Sequence, residues 1–139
     1  MKKTLIIIPT YNEIENIALI IDAVFQVGLD LDVLVVDDNS PDGTGNVVKT
    51  LMKSHPQSLF LESRDIHGFF WALKHPYEYI FEMDADFSHN PMEIKFMLNL
   101  LEKETDVIIG SRYIKGVNVV NWPLSRILLS YFASIYVRF

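Results

Sequence analysis

Leu5-Ile6-Ile7-Ile8 runs without polar interruption into Pro9-Thr10-Tyr11-Asn12-Glu13, and this boundary decides the fold. An unbroken run of branched aliphatics reads as a strand buried on both faces, as in a parallel sheet. A strand with one wet face would alternate instead. From Asn12 the period changes: Ile14, Ile17, Ile20, Ile21, Val24 and Phe25 recur at helical spacing, and Gly28 supplies a stop. The unit then repeats. Residues 33–36 read as a second buried strand, residues 37–43 as a turn rich in Asp, Asn, Pro and Gly, and Val47, Val48, Leu51 and Met52 as the apolar face of a second helix. Residues 58–62 read as a third strand, 68–74 as a short helix and 79–83 as a fourth strand. Residues 91–104 read as a helix with Pro91 in its first turn, where proline is tolerated, and 107–109 as a fifth strand ended by Gly110.

Strand and helix alternate along the chain. The expected fold class is therefore α/β, a Rossmann-like, mostly parallel sheet with helices on both faces. At 139 residues the chain is expected to form one domain over 1–139. Half the residues are hydrophobic and only six are Gly and six Pro, which excludes a disordered or low-complexity chain. The absence of cysteine excludes disulfides, thiolate zinc sites and a Cys nucleophile. A net charge of −6 argues against a broad grip on nucleic acid. The first apolar run is too short for a secretory signal, and no apolar stretch is long enough to span a bilayer. Residues 122–139 are apolar and aromatic, with Arg126 and Arg138. They read either as an interfacial helix on a membrane or as a helix packed on the sheet.

In an open parallel sheet, ligands bind beyond the carboxyl ends of the strands. The residues expected there are Pro9, Thr10, Tyr11, Asn12 and Glu13 after the first strand, and Asp37, Asp38 and Asn39 after the second. Asp84, Asp86, Ser88 and His89 follow the fourth strand, and Ser111, Arg112 and Tyr113 follow the fifth. Asp84-Ala85-Asp86 is the sharpest element: two carboxylates two residues apart can share a hard divalent cation, with phosphate oxygens completing its shell. The alternative is that Asp86 or Asn90 merely caps the helix opened by Pro91. Asp37 and Asp38 divide similarly, one accepting from a ribose or base and the other forming an Asx turn. Tyr11 either stacks on a base or packs in its loop. Glu13 either reaches a nucleoside or favours the helix amino end, and Arg112 contacts either phosphate or a nearby Asp. His67 and His89 read as structural. No glycine-rich phosphate loop of the Walker or dinucleotide type is present, nor a nucleophile elbow.

Four strings, taken in order, carry a resemblance: residues 8–13 (Ile-Pro-Thr-Tyr-Asn-Glu), 36–44 (Val-Asp-Asp-Asn-Ser-Pro-Asp-Gly-Thr), 83–91 (Met-Asp-Ala-Asp-Phe-Ser-His-Asn-Pro) and 110–113 (Gly-Ser-Arg-Tyr). They resemble family 2 glycosyltransferases of the GT-A fold, and within them the polyprenol (dolichol) phosphate mannose synthases. The resemblance implies inverting transfer of mannose from GDP-mannose to a dolichyl or polyprenyl phosphate, assisted by Mg2+ or Mn2+. It implies that Pro9, Tyr11, Glu13, Val36 and Asp38 hold the guanosine. Asp84 and Asp86 would hold the metal, with Ala85, Ser88 and Arg112 at the donor. It also implies work at the cytoplasmic face of a membrane, the endoplasmic reticulum in a eukaryote, and leaves open membrane-anchoring subunits. Family members carry a basic, Gly-rich stretch just before the position of His67-Gly68-Phe69, and they continue past Phe139. A form that binds the nucleotide sugar without turnover, or one that uses a UDP-sugar, is therefore the alternative.

Overall fold

The computed structural model describes residues 4–63, 68–101, 105–110 and 123–137. Four strands form one parallel sheet in the order β3-β2-β1-β4: β1 (Thr4–Thr10), β2 (Leu31–Asp37), β3 (Leu59–Ser63) and β4 (Tyr79–Glu82). The helices are α1 (Ile17–Gln26), α2 (Thr44–Leu51), α3 (Gly68–Ala72), α4 (Glu93–Leu101) and α5 (Leu124–Val137).

β1 lies between β2 and β4. It pairs with β2 along its whole length, from Thr4 opposite Leu31 to Thr10 opposite Asp37, but with β4 only as far as Ile7 opposite Glu82. Pro9, which has no N–H to donate, therefore falls beyond the ladder with β4. Alternation along β1 and β2 divides the core into two layers. Ile6, Ile8, Val33 and Val35 pack with Ile17, Ile20, Ile21 and Val24 of α1, Val48 of α2 and Ile94 of α4. Leu5, Ile7 and Leu34 face the other way, against Ala72 and the half-buried Trp71 of α3. Helices thus cover both faces, as the apolar runs require.

Three readings need correction. Residues 107–109 form no strand among the described residues, and Val107 and Ile109 are 72% and 82% exposed. Gly110 lies instead beside α4, where an added Cβ would sit 3.1 Å from Met97 Cε. A three-residue apolar run carries too little ladder to fix itself on a sheet edge. Second, α1 begins at Ile17 rather than near Asn12, because Asn12 adopts a left-handed φ of 57° that no helix accepts. Third, the α4 helix starts at Glu93, two residues after Pro91.

At the amino ends of the strands, Tyr77 Oη donates to Asp32 Oδ2 at 2.8 Å. Burial, then the Asp32 carboxylate, pushes the Tyr77 phenol well above its usual range. Tyr77→Phe keeps the ring and removes this bond to a buried carboxylate. It is expected to cost about 1–3 kcal/mol in urea denaturation, and an unchanged midpoint would show that the bond contributes nothing net.

Candidate functional site

The strand order reverses at β1: the chain moves out through β2 and β3 and returns to add β4 on the other side. Splayed loops at such a switch point leave a crevice beyond the carboxyl ends. A cavity of about 520 Å³ lies there, lined by Ile7, Pro9, Thr10, Tyr11, Val36, Asp38, Gly68, Phe69, Glu82 and Asp84. It brings together Pro9, Thr10, Tyr11, Val36, Asp38 and Asp84 from the residues expected on sequence grounds. Tyr11 is 57% exposed, so its ring is available to a ligand.

The two acids after β2 separate into different tasks. Asp37 is the turn former: its Oδ1 accepts from the Ser40 hydroxyl and, at 3.4 Å, from Ser40 N–H. Asp38 lines the cavity, and its N–H is tied to the Thr10 carbonyl at 3.0 Å. Glu13 is half-buried, accepts from Asn16 Nδ2 at 2.9 Å, and offers its carbonyl to the N–H groups of Asn16 and Ile17. The Glu13 carbonyl therefore takes up the first amides of α1, and its side chain does not line the cavity.

After β4 the capping question has a clear answer. Asn90 Oδ1 accepts Met92 N–H at 3.1 Å, so Asn90 caps the start of α4 and Asp86 does not. Asp86 Oδ1 accepts Ser88 N–H at 2.8 Å, and Ser88 Oγ stands 3.4 Å from Asp84 Oδ2. Burial pushes the Asp86 carboxyl up, but the Ser88 hydroxyl and N–H, with His89 nearby, outweigh it and hold the group below the usual carboxylate range. His89 Nδ1 accepts Asp84 N–H at 3.2 Å, a structural part as expected. Phe87 turns the loop through a φ of 59°, an outlier for an aromatic residue. Ala85 is buried with Met83 and Ile94 in the main core, which anchors the acidic pair from behind. Arg112 lies outside the described residues, as does His67.

Asp84 and Asp86 are exposed oxygen donors, and no group of three or more potential ligands occurs among the described residues. That set suits Mg2+ or Mn2+, which take one or two carboxylates and complete their shell with phosphate oxygens and water. It does not suit zinc, which prefers a closed nitrogen or sulfur cage.

Gly68, Phe69, Ile7 and Glu82 were not expected in the lining. Gly68 is the most informative. A Cβ there would meet Ile7 Cγ2 at 2.7 Å, so only glycine lets α3 start against the sheet at the cavity floor. An isolated glycine before two phenylalanines was the only signal for it.

Comparison with known proteins fits this geometry. The family model described as Glycosyl transferase family 2 matches residues 5–138. Polyprenol monophosphomannose synthase of Mycolicibacterium smegmatis is 42% identical over 99% of this chain and 56% of its own length. The mannosyltransferase PcManGT of Pyrobaculum calidifontis, solved with GDP-Man and Mn2+, superposes with a TM-score of 0.52. It is 31% identical and covers 60% of this chain and 27% of its own. S. aureus TarS 1–349 gives a TM-score of 0.60 at 26% identity, over 88% of this chain and 39% of its own. The chain spans between 38% and 59% of the length of the curated relatives it matches.

Beside the cavity, Asp42 is held below the usual carboxylate range by the Thr44 hydroxyl first, and by the N–H groups of Thr44 and Ile14, against a smaller upward push from burial. A lowered folded-state value means that its contribution to stability is complete above the ordinary Asp value and is lost as pH falls through the lowered one. Asp42→Asn is therefore expected to show a shallower loss of thermal stability than the parent as pH falls below the ordinary Asp value. Parallel acid limbs for the two proteins would refute that assignment.

Proposed function

The chain belongs to glycosyl transferase family 2, and from that premise we propose that it transfers mannose from GDP-mannose to a polyprenyl or dolichyl phosphate, with inversion and with the help of Mg2+ or Mn2+. The observation that carries this reading is the exposed Asp84-x-Asp86 pair at the edge of a cavity on the strand switch point.

Electrostatics support it. Among the described residues, the cavity lining carries Asp38, Glu82 and Asp84 and no basic side chain. A diphosphate entering alone would be repelled, so a cation held by Asp84 and Asp86 fits both the site and the ligand. When bound, such an ion would neutralise the charge that develops on the departing GDP. Tyr11 offers a ring face to the base, and Asp38 accepts hydrogen bonds from the ribose or base. Pro9 and Val36 supply apolar contact at the cavity wall. Arg112 is assigned by motif to the donor phosphates.

In the reaction an acceptor phosphate oxygen bonds to the anomeric carbon. The bond from that carbon to the β-phosphate oxygen of GDP-mannose breaks, and its electron pair leaves with GDP. A phosphate monoester is largely ionised at neutral pH, so no strong general base is required, and Asp86 is given no such role. Holding the two reactants in line supplies much of the rate. The acceptor's hydrocarbon tail resides in a bilayer. We place the protein at a membrane surface, on the cytoplasmic face, a placement supported by the exposed Leu124, Leu129, Phe132 and Tyr136 of α5. No helix among the described residues is long and apolar enough to cross a membrane.

The test is mannose transfer from radiolabelled GDP-mannose to a short polyprenyl phosphate, with Mg2+, with Mn2+ and with EDTA. Transfer that EDTA abolishes is expected. Binding of GDP-mannose without transfer would favour a donor-binding form, and transfer from a UDP-sugar alone would overturn the donor assignment. Asp86→Ala removes a rim group that lies outside the core. It is expected to weaken Mn2+-dependent GDP-mannose binding at least tenfold by calorimetry, with cooperative urea unfolding retained. Unaltered affinity would remove Asp86 from the metal site.

A further inference from the structure

The two loops that flank the cavity are joined by an arrangement that the chemistry above does not use. Three successive N–H groups of the β1–α1 turn are each accepted by a side chain of the β2–α2 loop. Asn12 N–H donates to Ser40 Oγ at 2.9 Å, Glu13 N–H to Thr44 Oγ1 at 3.0 Å and Ile14 N–H to Asp42 Oδ2 at 3.1 Å. The partners lie 28 or more residues apart in sequence, so this is not local helix capping. Asn16, at the amino cap of α1, makes no side-chain capping bond.

Each hydroxyl in the arrangement is itself anchored on a carboxylate. Ser40 Oγ donates to Asp37 Oδ1, and Thr44 Oγ1 donates to Asp42 Oδ1 at 2.6 Å. Thr44 N–H donates to the same oxygen at 2.9 Å. An N–H bonded to a hydroxyl that is bonded in turn to a carboxylate is a polarised chain, stronger than either bond alone. Thr44 is fully buried, which excludes water from competing. Asp37 has room for its role because residue 45 is glycine, where a Cβ would stand 2.9 Å from Asp37 Oδ2. Asn12 and Asn39 face this arrangement with left-handed φ values of 57° and 54°, which asparagine tolerates better than most residues.

The β1–α1 turn carries Tyr11, and the β2–α2 loop carries Asp38. We propose that Ser40, Asp42 and Thr44 are positioning residues that lock these two loops to each other, and so fix Tyr11 and Asp38 in the spacing that grips the nucleoside of the donor. The proposal rests on reading the cavity as the donor site. A loop fixed before binding loses no further backbone entropy when the ligand arrives, so the clamp acts on donor affinity rather than on the transfer step.

Thr44→Val keeps the shape and removes the hydroxyl; Thr44→Ser keeps the hydroxyl and removes the methyl. Ser40→Ala tests the second hydroxyl at a half-buried position, in case a change at the buried Thr44 prevents folding. The 139-residue chain is titrated with GDP and Mg2+ by calorimetry, and amide hydrogen exchange is followed at Asn12, Glu13 and Ile14. The GDP dissociation constant is expected to rise tenfold or more in Thr44→Val and severalfold in Ser40→Ala. Faster exchange is expected at Glu13 and Asn12 respectively, with recovery in Thr44→Ser. In the transfer assay the loss is expected in KM for GDP-mannose, with kcat nearly unchanged. GDP affinity equal to the parent's, in variants whose amides exchange faster, would overturn the positioning role while leaving the donor site standing. A parent chain that binds neither GDP nor GDP-mannose would overturn the donor reading and this proposal with it.

Discussion

β1 is paired on both edges and covered on both faces, so its side chains from Leu5 to Ile8 are withdrawn from water. β2 shares that condition from Leu31 to Val35. A strand in this position has little room for polar chemistry along its length: the one acid within that stretch of β2, Asp32, sits at its amino end and accepts from Tyr77. Every polar group that must meet a ligand is displaced to the first residues past its carboxyl end. Burial of the central strands therefore sets the location of Tyr11, Asp38 and Asp84 as firmly as it sets the core, and Ile7 and Val36 belong to both, closing the second core layer while lining the cavity.

The loops at these strand ends are short and turn sharply, and each contains a non-glycine residue with positive φ: Asn12 after β1, Asn39 after β2 and Phe87 after β4. Such conformations persist only where surrounding bonds over-determine them. After β1 and β2 those bonds are the side-chain acceptors on Asn12, Glu13 and Ile14; after β4 they are Ser88 on Asp86 and His89 on Asp84. The rim is held before any ligand arrives. This suits the proposed transfer, in which two phosphate-bearing reactants are aligned and no base is supplied.

Much of this was legible in the sequence because the physics involved is local. Unbroken aliphatic runs marked β1 and β2, and helical spacing with Gly28 marked the body and end of α1. The position of Asp84 and Asp86 after a strand marked the acidic pair. What was not legible depended on contacts distant in sequence. Nothing near Gly68 says that Ile7 will fill the space of its missing side chain. The choice between Asp37 and Asp38 turned on which one Ser40 and Gly45 could accommodate. The run at 107–109 carries strand-like residues, but a strand exists only if an edge accepts it, and among the described residues none does. The left-handed turn at Phe87 runs against residue preference, and side-chain bonds within its own loop hold it.

The central claim is that the carboxyl ends of β1, β2 and β4 form one site for a nucleoside diphosphate and its metal. Titration of the isotopically labelled chain with GDP and Mg2+, followed by amide chemical shifts, tests this most directly. The account predicts saturable shifts concentrated at Tyr11, Asp38, Gly68, Asp84 and Asp86, lost when EDTA is added, with Asp32 and Tyr77 at the opposite end of the sheet unmoved. No saturable shift, or shifts centred away from these strand ends, would contradict it.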